Sequence, residues 1–318
     1  MSCGERRGPP GGDPPGSLAA VDALPEPQIV DLDGPVSFLE WDGPETTTFV
    51  LVHGLGGSSL NWWQVGAGLA GLGRVLALDL PGFGRSSKAG RGTGLMDQRR
   101  FLSRFIDARA TGSVVLAGNS MGGATAMLQA AVEPSSLAGL VLTSSVYPWA
   151  RGGLPHPLVI TGFMTYDIPI VGDRVVEARF RHLSAERLVR IGYRMCTADP
   201  SVIPPQVRKA SVDLVAERAL DPDVVPAFLE AWRSMRRLGR RPDVAKRAMD
   251  AIACPVLVLH GRRDRLVPAA FAESALRSHP EWRGRFFPDL GHLPQMEAPG
   301  RWLAEVADWH AEAVDEVF

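Results

Sequence analysis

The sequence is poor in cysteine, in net charge and in long apolar runs, and each shortage excludes a class of protein. Cys3, Cys196 and Cys254 are an odd number at wide spacing, so neither a disulfide framework nor a zinc-binding pattern is predicted. The formal net charge of −1 argues against nucleic acid as the main partner. No run of about 18 apolar residues is present, so no transmembrane helix is predicted.

The beginning of the chain also lacks the apolar core of a secretory signal. The stretch MSCGERRGPPGGDPPGS is rich in glycine and proline, and we expect residues 1–25 to form a disordered tail. Cysteines without a disulfide pattern are expected to be reduced thiols. The sequence therefore predicts a cytoplasmic protein.

After this tail, apolar strand-like segments alternate with amphipathic helical ones. The segment 28–43 predicts a two-stranded hairpin around Asp33 and Gly34. Buried strands are predicted within 47–54, 73–86, 113–120, 137–146, 254–268 and 283–292. Strands that alternate with helices indicate an α/β fold, with a mostly parallel central sheet and helices on both faces.

One segment interrupts this alternation. From about residue 148 to 235 strand signals disappear, and Arg-rich amphipathic stretches such as RLVRIGYRM and VPAFLEAWRSMRRL take their place. We therefore predict a core made of residues 26–147 and 236–318, with a helical cap inserted at 148–235. The glycine pattern GAGLAG at 66–71 is not taken as a dinucleotide-binding motif, because neither a preceding strand nor a suitably spaced acid supports that function.

The pattern G-x-S-x-G occurs once, at Gly118–Gly122, between a predicted strand and a predicted helix. A sharp strand–turn–helix leaves little room beside the serine, so the flanking positions must be glycine. Such a turn raises Ser120 to the carboxyl edge of the sheet as a candidate nucleophile. A plain connection with an incidental serine would need only one or two glycines.

A serine hydroxyl needs a general base to become a nucleophile at neutral pH, and the chain has seven histidines. His292 follows the last predicted strand and is the preferred base, whereas His260 and His53 are interpreted as packed strand-end residues. Asp264 follows the next-to-last strand at the same edge and is the predicted acid that orients the imidazole. Asp289 is assigned to a turn.

The transition state of acyl transfer also needs donors for its oxyanion. The N–H group of Met121, directly after the serine, lies at the N-terminus of the following helix and is expected to point at the developing negative charge. The loop HGLGGSS after the first central strand offers the N–H group of Leu55 as the second donor. No metal or organic cofactor is required by this arrangement.

With these residues in place, the chain from about residue 28 to its end resembles the α/β-hydrolase superfamily. The resemblance is carried by LVHGLGG, LDLPGFGRSS, GNSMGGATA, PVLVLHGRRDRLVP and DLGHLPQMEAP. It implies the chain order of nucleophile, acid and base, Ser120–Asp264–His292, and a helical cap at the position of the 148–235 segment.

Within that superfamily, the serine turn is similar to that of hydrolases that cleave carbon–carbon bonds in ring-fission products (meta-cleavage products). In those enzymes an Asn precedes the nucleophile, as Asn119 does here, and a Trp commonly follows the histidine, where this chain has Leu293. A cationic Arg190 or Arg194 facing the pocket beside Asn119 would favour that chemistry. Perhydrolases of this fold share the triad and are not separated by motif.

The sequence therefore predicts a serine hydrolase that cleaves a carboxylic ester of a hydrophobic small molecule through an acyl-enzyme. The alternatives are carbon–carbon bond hydrolysis of ring-fission products and non-catalytic binding of a small molecule. Fluorophosphonate labelling of the serine distinguishes a non-catalytic binder from either hydrolase. Neither the substrate nor the oligomeric state is predicted. The pocket candidates are Asn119, Phe163, Met164 and Leu293.

Overall fold

The computed structural model describes residues 23–133, 137–147, 156–157 and 163–313. Their centre is an eight-stranded sheet with the order β1-β2-β4-β3-β5-β6-β7-β8. The strands are β1 Gln28–Asp31, β2 Pro35–Trp41, β3 Thr47–Val52, β4 Arg74–Leu78, β5 Ser113–Asn119, β6 Gly139–Thr143, β7 Val256–Gly261 and β8 Arg283–Phe287.

The predicted hairpin forms the antiparallel edge of this sheet. Strand β1 pairs with β2, and β2 pairs with β4, both antiparallel. Asp33 and Gly34 both have positive φ angles, 57° and 122°. The register pairs Asp31 with Pro35, so Leu32, Asp33 and Gly34 form the connection, and positive φ at its last two positions favours Asp and Gly.

From β4 to β8 all pairings are parallel, so this part of the sheet is covered on both faces. Alternate residues of β3 enter different cores: Phe49 and Leu51 pack on one face, and Val50 and Val52 on the other. This burial on both faces explains the continuous apolar character of the strand. The predicted α/β fold with a mostly parallel sheet is confirmed.

The helices divide into those that flank the sheet and those inserted between β6 and β7. The flanking helices are α1 Trp63–Leu69, α2 Leu95–Arg109, α3 Met121–Val132, α9 Ala269–Ser278, α10 Pro294–Glu297 and α11 Pro299–Ala313. The inserted helices are α4 Val171–His182, α5 Ala185–Cys196, α6 Pro205–Arg218, α7 Val224–Gly239 and α8 Pro242–Asp250. Residues 163–250 are called the helical insertion below.

The helical insertion packs on loops at the carboxyl ends of the strands. Arg218 of α6 donates to the carbonyl oxygens of Gly82 and Gly84, at 2.6 and 2.7 Å, in the loop after β4. Thr93 donates to the Ala227 carbonyl of α7 at 2.9 Å. The insertion therefore covers the edge of the sheet where the candidate residues lie.

The domain boundaries drawn from sequence texture stay predictions. Helix α7, Val224–Gly239, runs across the boundary drawn between 235 and 236. Of the tail predicted at 1–25, residues 1–22 lie outside the described residues, and irregular backbone precedes β1 from residue 23. No helix in the described part of the chain is both long and apolar enough to cross a bilayer.

The glycines of GAGLAG have a packing role. Gly66 and Gly68 lie in α1, not in a loop after a strand. A Cβ atom on Gly66 would lie 2.4 Å from the Trp41 ring, and one on Gly68 would lie 2.5 Å from Leu303. Close contact with neighbouring side chains therefore explains both glycines.

Candidate active site

Ser120 occupies a strained turn between β5 and α3. Its backbone angles are φ 57° and ψ −117°, which a residue with a Cβ atom rarely adopts. A Cβ atom on Gly122 would lie 2.2 Å from the Val52 carbonyl oxygen, and one on Gly118 would lie 2.5 Å from the Gly122 carbonyl oxygen. The two glycines let α3 start directly against β3 and β5. Ser120 is thereby held, half-buried, at the carboxyl edge.

Asp264 and His292 are joined by a hydrogen bond. His292 Nδ1 lies 2.7 Å from Asp264 Oδ2, and both side chains are buried. The other carboxylate oxygen, Oδ1, accepts the N–H groups of Leu266 and Val267 at 2.8 and 2.9 Å. The loop after β7 therefore directs one oxygen of Asp264 to its own backbone and the other to the imidazole.

The charge state of Asp264 follows from these neighbours. Burial opposes its ionisation, but the charges and hydrogen bonds of His292 and His260 outweigh burial and hold the pKa of Asp264 well below its ordinary value. Asp264 is therefore an anion at neutral pH. An anion in this position favours the Nδ1–H tautomer of His292 and leaves Nε2 free to accept a proton.

His260 is a neighbour of Asp264 whose contact was missed by the sequence analysis. It lies at the end of β7 and is fully buried, and its Nε2 is 3.4 Å from Asp264 Oδ2 and 3.0 Å from the Val267 carbonyl oxygen. The interpretation of His260 as a packed strand-end residue agrees with its burial but does not include this contact with Asp264. Its position four residues before Asp264, across a tight turn, was the signal for the additional contact.

Asn119 connects the turn that carries Ser120 with the loop after β8 that carries His292, called the histidine loop below. Its Nδ2 donates to the Thr143 carbonyl at 3.0 Å and to the His292 carbonyl at 3.1 Å. Within the described residues no hydrogen bond joins Ser120 Oγ to His292, a contact that is often long before substrate binds. Asn119 thus brings the loops of Ser120 and His292 together through backbone carbonyls.

Two backbone donors adjoin Ser120. A Cβ atom on Gly54 would lie 2.9 Å from Ser120 Cβ, so the loop after β3 runs directly beside the serine. Across the described part of the chain, the N–H groups of Leu55 and Met121 donate to no protein acceptor. Unpaired backbone N–H groups next to a candidate nucleophile are the kind of donor that binds an oxyanion.

The other pocket candidates occupy different surroundings. Leu293 is buried among core side chains. The ring of Phe163 lies 4.7 Å from that of Trp232 and 5.3 Å from that of Tyr166, inside the helical insertion. Met164 is 60% exposed. Their contribution to a substrate pocket stays a prediction.

Phe228 of α7 is a residue near the site that the sequence analysis did not single out. A Cβ atom on Gly56 would lie 3.5 Å from Phe228 Cε2, so this half-buried ring lies over the loop that carries Leu55. Its ring also contacts Tyr166 edge-on at 5.5 Å. Nothing in the local sequence distinguishes this phenylalanine, because its position depends on how α7 docks.

The two arginines considered for carbon–carbon chemistry lie on the surface of α5. Arg190 and Arg194 are both exposed. The carbonyl of Arg194 accepts a hydrogen bond from Arg265 at 2.9 Å. In the described ranges no cluster of three or more His, Cys, Asp or Glu side chains could hold a metal ion.

The sequence model of the alpha/beta hydrolase family matches residues 49–306, and the chain belongs to this family. A curated relative from Pseudomonas putida, the dihydrolipoyllysine-residue acetyltransferase component of an acetoin cleaving system, is 29% identical over 86% of this chain. The chain spans only 66% of that relative's length.

A second relative is closer in length. The 2-hydroxy-6-oxononadienedioate/2-hydroxy-6-oxononatrienedioate hydrolase of Cupriavidus pinatubonensis is 27% identical, over 84% of this chain and 88% of its own. Among solved structures, a thermophilic esterase from Thermogutta terrifontis matches 90% of this chain and 99% of its own, with a TM-score of 0.68 and 24% identity. At that identity the likeness concerns the fold.

Proposed function

We propose that this chain is a serine hydrolase that cleaves a carboxylic ester of a hydrophobic small molecule through an acyl-enzyme. The observation that carries the proposal is the buried Asp264–His292 pair, 2.7 Å apart, on a loop that Asn119 ties to the strained turn of Ser120. Nucleophile, base and acid need this proximity, and each comes from the end of a different strand.

The proposed reaction has two halves. Ser120 Oγ attacks the ester carbonyl carbon while its proton passes to His292 Nε2, and Asp264 stabilises the resulting imidazolium. The oxyanion faces the N–H groups of Leu55 and Met121. Collapse breaks the bond to the alcohol, which leaves with the proton from His292. Water then attacks the acyl-enzyme by the same proton transfers and releases the acid.

The preference for a hydrophobic ester rests on aromatic side chains of the helical insertion next to the candidate site. The ring of Phe228 lies over the loop that carries Leu55. Behind this ring, Tyr166, Phe163 and Trp232 form an aromatic cluster in the insertion. Apolar and aromatic walls with a few polar groups are typical of small-molecule sites.

Carbon–carbon bond hydrolysis is the second candidate, favoured by the relative from Cupriavidus pinatubonensis with its hydrolase name. That chemistry needs donors for a dienoate carboxylate. Here Asn119 Nδ2 is already bonded to two carbonyl oxygens, and Arg190 and Arg194 are exposed. These positions favour the ester.

The test measures p-nitrophenyl esters of graded chain length beside one ring-fission dienoate, with Ser120→Ala as the blank. We expect kcat/KM for the best ester to exceed that for the dienoate by at least about tenfold, equal to about 1.4 kcal/mol. A dienoate preference of any size would replace the ester proposal with the second candidate. Absence of fluorophosphonate labelling at Ser120 would favour a non-catalytic binder.

A further inference from the structure

Glu297, the last residue of α10, lies buried next to the histidine loop, with only 8% of its surface exposed. Its Oε1 accepts the N–H groups of Gly291 and Leu293 at 2.9 and 3.2 Å. Its Oε2 accepts the N–H groups of Gly291 and Ala198 at 3.1 and 2.7 Å. One carboxylate therefore binds the backbone on both sides of His292 and, through Ala198, the helical insertion.

The insertion also contacts His292 directly. The His292 N–H group donates to the Cys196 carbonyl at 2.6 Å. A Cβ atom on Gly291 would lie 2.7 Å from Ala198 N, so the segment Cys196–Ala198 lies against the histidine loop without a gap. The position of this segment and the position of His292 are therefore coupled through backbone hydrogen bonds.

We propose that Glu297 is a positioning residue: it clamps the His292 loop to the segment Cys196–Ala198, so that docking of the insertion orients the candidate general base. This inference rests on the proposed function, because His292 matters as a base only in a hydrolase. Glu297 acts through His292 and not on the substrate.

Only a carboxylate satisfies this geometry. An ionised carboxyl group accepts hydrogen bonds at both oxygens, whereas the amide of Gln has one accepting oxygen and would turn its NH₂ group toward a backbone N–H group. Burial raises the pKa of Glu297, and the N–H groups of Ala198, Gly291 and Leu293 oppose that rise. A misplacement of about 1 Å at a reacting group can cost about 100-fold in rate.

The main test is Glu297→Gln, with Glu305→Gln as the matched control. Glu305, in α11, is half-buried and pairs with Arg285 at 3.0 Å and with Arg283 at 3.9 Å, in the same C-terminal region. With the best ester found in the screen, we expect Glu297→Gln to lower kcat by roughly 10- to 100-fold, with KM changed by no more than about threefold. Glu305→Gln should keep both values within about twofold of wild type, because the ion pairs of Glu305 are with arginines of β8 and not with the backbone around His292.

Thermal unfolding and NMR separate positioning from stability alone. The Nδ1 proton of His292, hydrogen-bonded to Asp264, is followed in wild type, Glu297→Gln and Glu305→Gln below their unfolding temperatures. Loss or broadening of that resonance only in Glu297→Gln supports the proposal. A lowered Tm with unchanged kcat and an unchanged resonance would overturn it and leave Glu297 a purely structural role.

A second variant covers the case in which Glu297→Gln does not fold. Glu297→Asp keeps the charge and both accepting oxygens but draws them back by one methylene, so the carboxylate cannot hold Ala198 and the loop of His292 at once. A fall in kcat of at least about fivefold at nearly constant KM supports the clamp, and wild-type kcat contradicts it. If the wild type cleaves no ester, the proposed function fails, while the His292 resonance in the variants still tests the clamp.

Discussion

The carboxyl edge of the sheet and the helical insertion above it are built differently. At the edge, the side chains of Asp264, His292 and Asn119 are buried, and each is hydrogen-bonded to its own loop or to a neighbouring one. In the insertion, the apolar side chains with 44–65% exposure are close together in the sequence, at Met164, Ile168, Ile170 and Val171. Among the described residues its own buried core consists of Tyr166, Val176 and Leu229.

The difference separates the chemical step from substrate choice. Each group at the edge has its position determined by several hydrogen bonds, so a small change there should affect the rate. Apart from the segment Cys196–Ala198, which is bonded to the loop of His292, the insertion approaches the site through apolar side chains such as Phe228, so changes there should alter which substrate binds. The predictions below test this division, from the largest expected effect to the smallest.

The first prediction concerns Asp264, the candidate acid at the carboxyl edge of the sheet. Asp264→Asn should lower kcat by up to about four orders of magnitude, because an amide favours the wrong tautomer of His292. Steady-state kinetics with the best ester checks this. Asp289→Asn is the control, since the side chain of Asp289 is 50% exposed and pairs with Arg301 at 2.7 Å on the surface. If Asp289→Asn were inactive and Asp264→Asn near wild type, the choice of acid would be wrong.

The second prediction concerns Phe228, the aromatic residue of the insertion next to the candidate site. Phe228→Ala should raise KM by roughly tenfold for long or aromatic esters, because an apolar wall is lost, and change kcat for acetate esters little. The comparison of KM across chain lengths measures this. Leu220→Ala is the control in the same insertion, since Leu220 is 89% exposed. Equal KM changes in both variants would remove Phe228 from the substrate site.

The third prediction is a pH dependence of stability. The pKa of Asp264 is lowered on folding, so its interactions contribute stability above the unfolded value of about 3.9 and lose it as pH falls through the folded value. Urea unfolding of wild type and Asp264→Asn should show a difference in the free energy of unfolding that is largest near neutral pH. The difference should shrink below about pH 4. A difference independent of pH would mean that Asp264 is not ionised in the folded protein.

The smallest effect is expected for the arginines of α5. Arg190→Gln and Arg194→Gln should change kcat/KM for esters by less than about twofold, because exposed charges contribute little. The same variants measured with the dienoate sharpen the comparison. A selective loss of dienoate cleavage of tenfold or more would show that an arginine reaches the substrate when it binds.

Local patterns sufficed for much of this molecule. The hairpin turn at Asp33-Gly34, the strands and the helix after Ser120 follow from turn chemistry and apolar periodicity, and the structure confirms them. The expected burial of the last strand was wrong, because β8 lies at the edge of the sheet and only Phe287 in it is buried. Candidate residues that directly follow a strand could be named because parallel strands end at one edge. The contact of His260 with Asp264 was missed, because burial at a strand end does not indicate which neighbour the side chain meets.

The sequence by itself determined the α/β class and was enough to name Ser120, Asp264 and His292 as candidates, because glycine requirements and strand ends are short-range features. Only the tertiary structure decided that Asn119 bonds to the His292 carbonyl and that Glu297 connects Ala198 with the histidine loop. These contacts join residues 173 and 99 positions apart, respectively. Their partners are backbone groups, which every residue carries, so no pattern of side chains could reveal them.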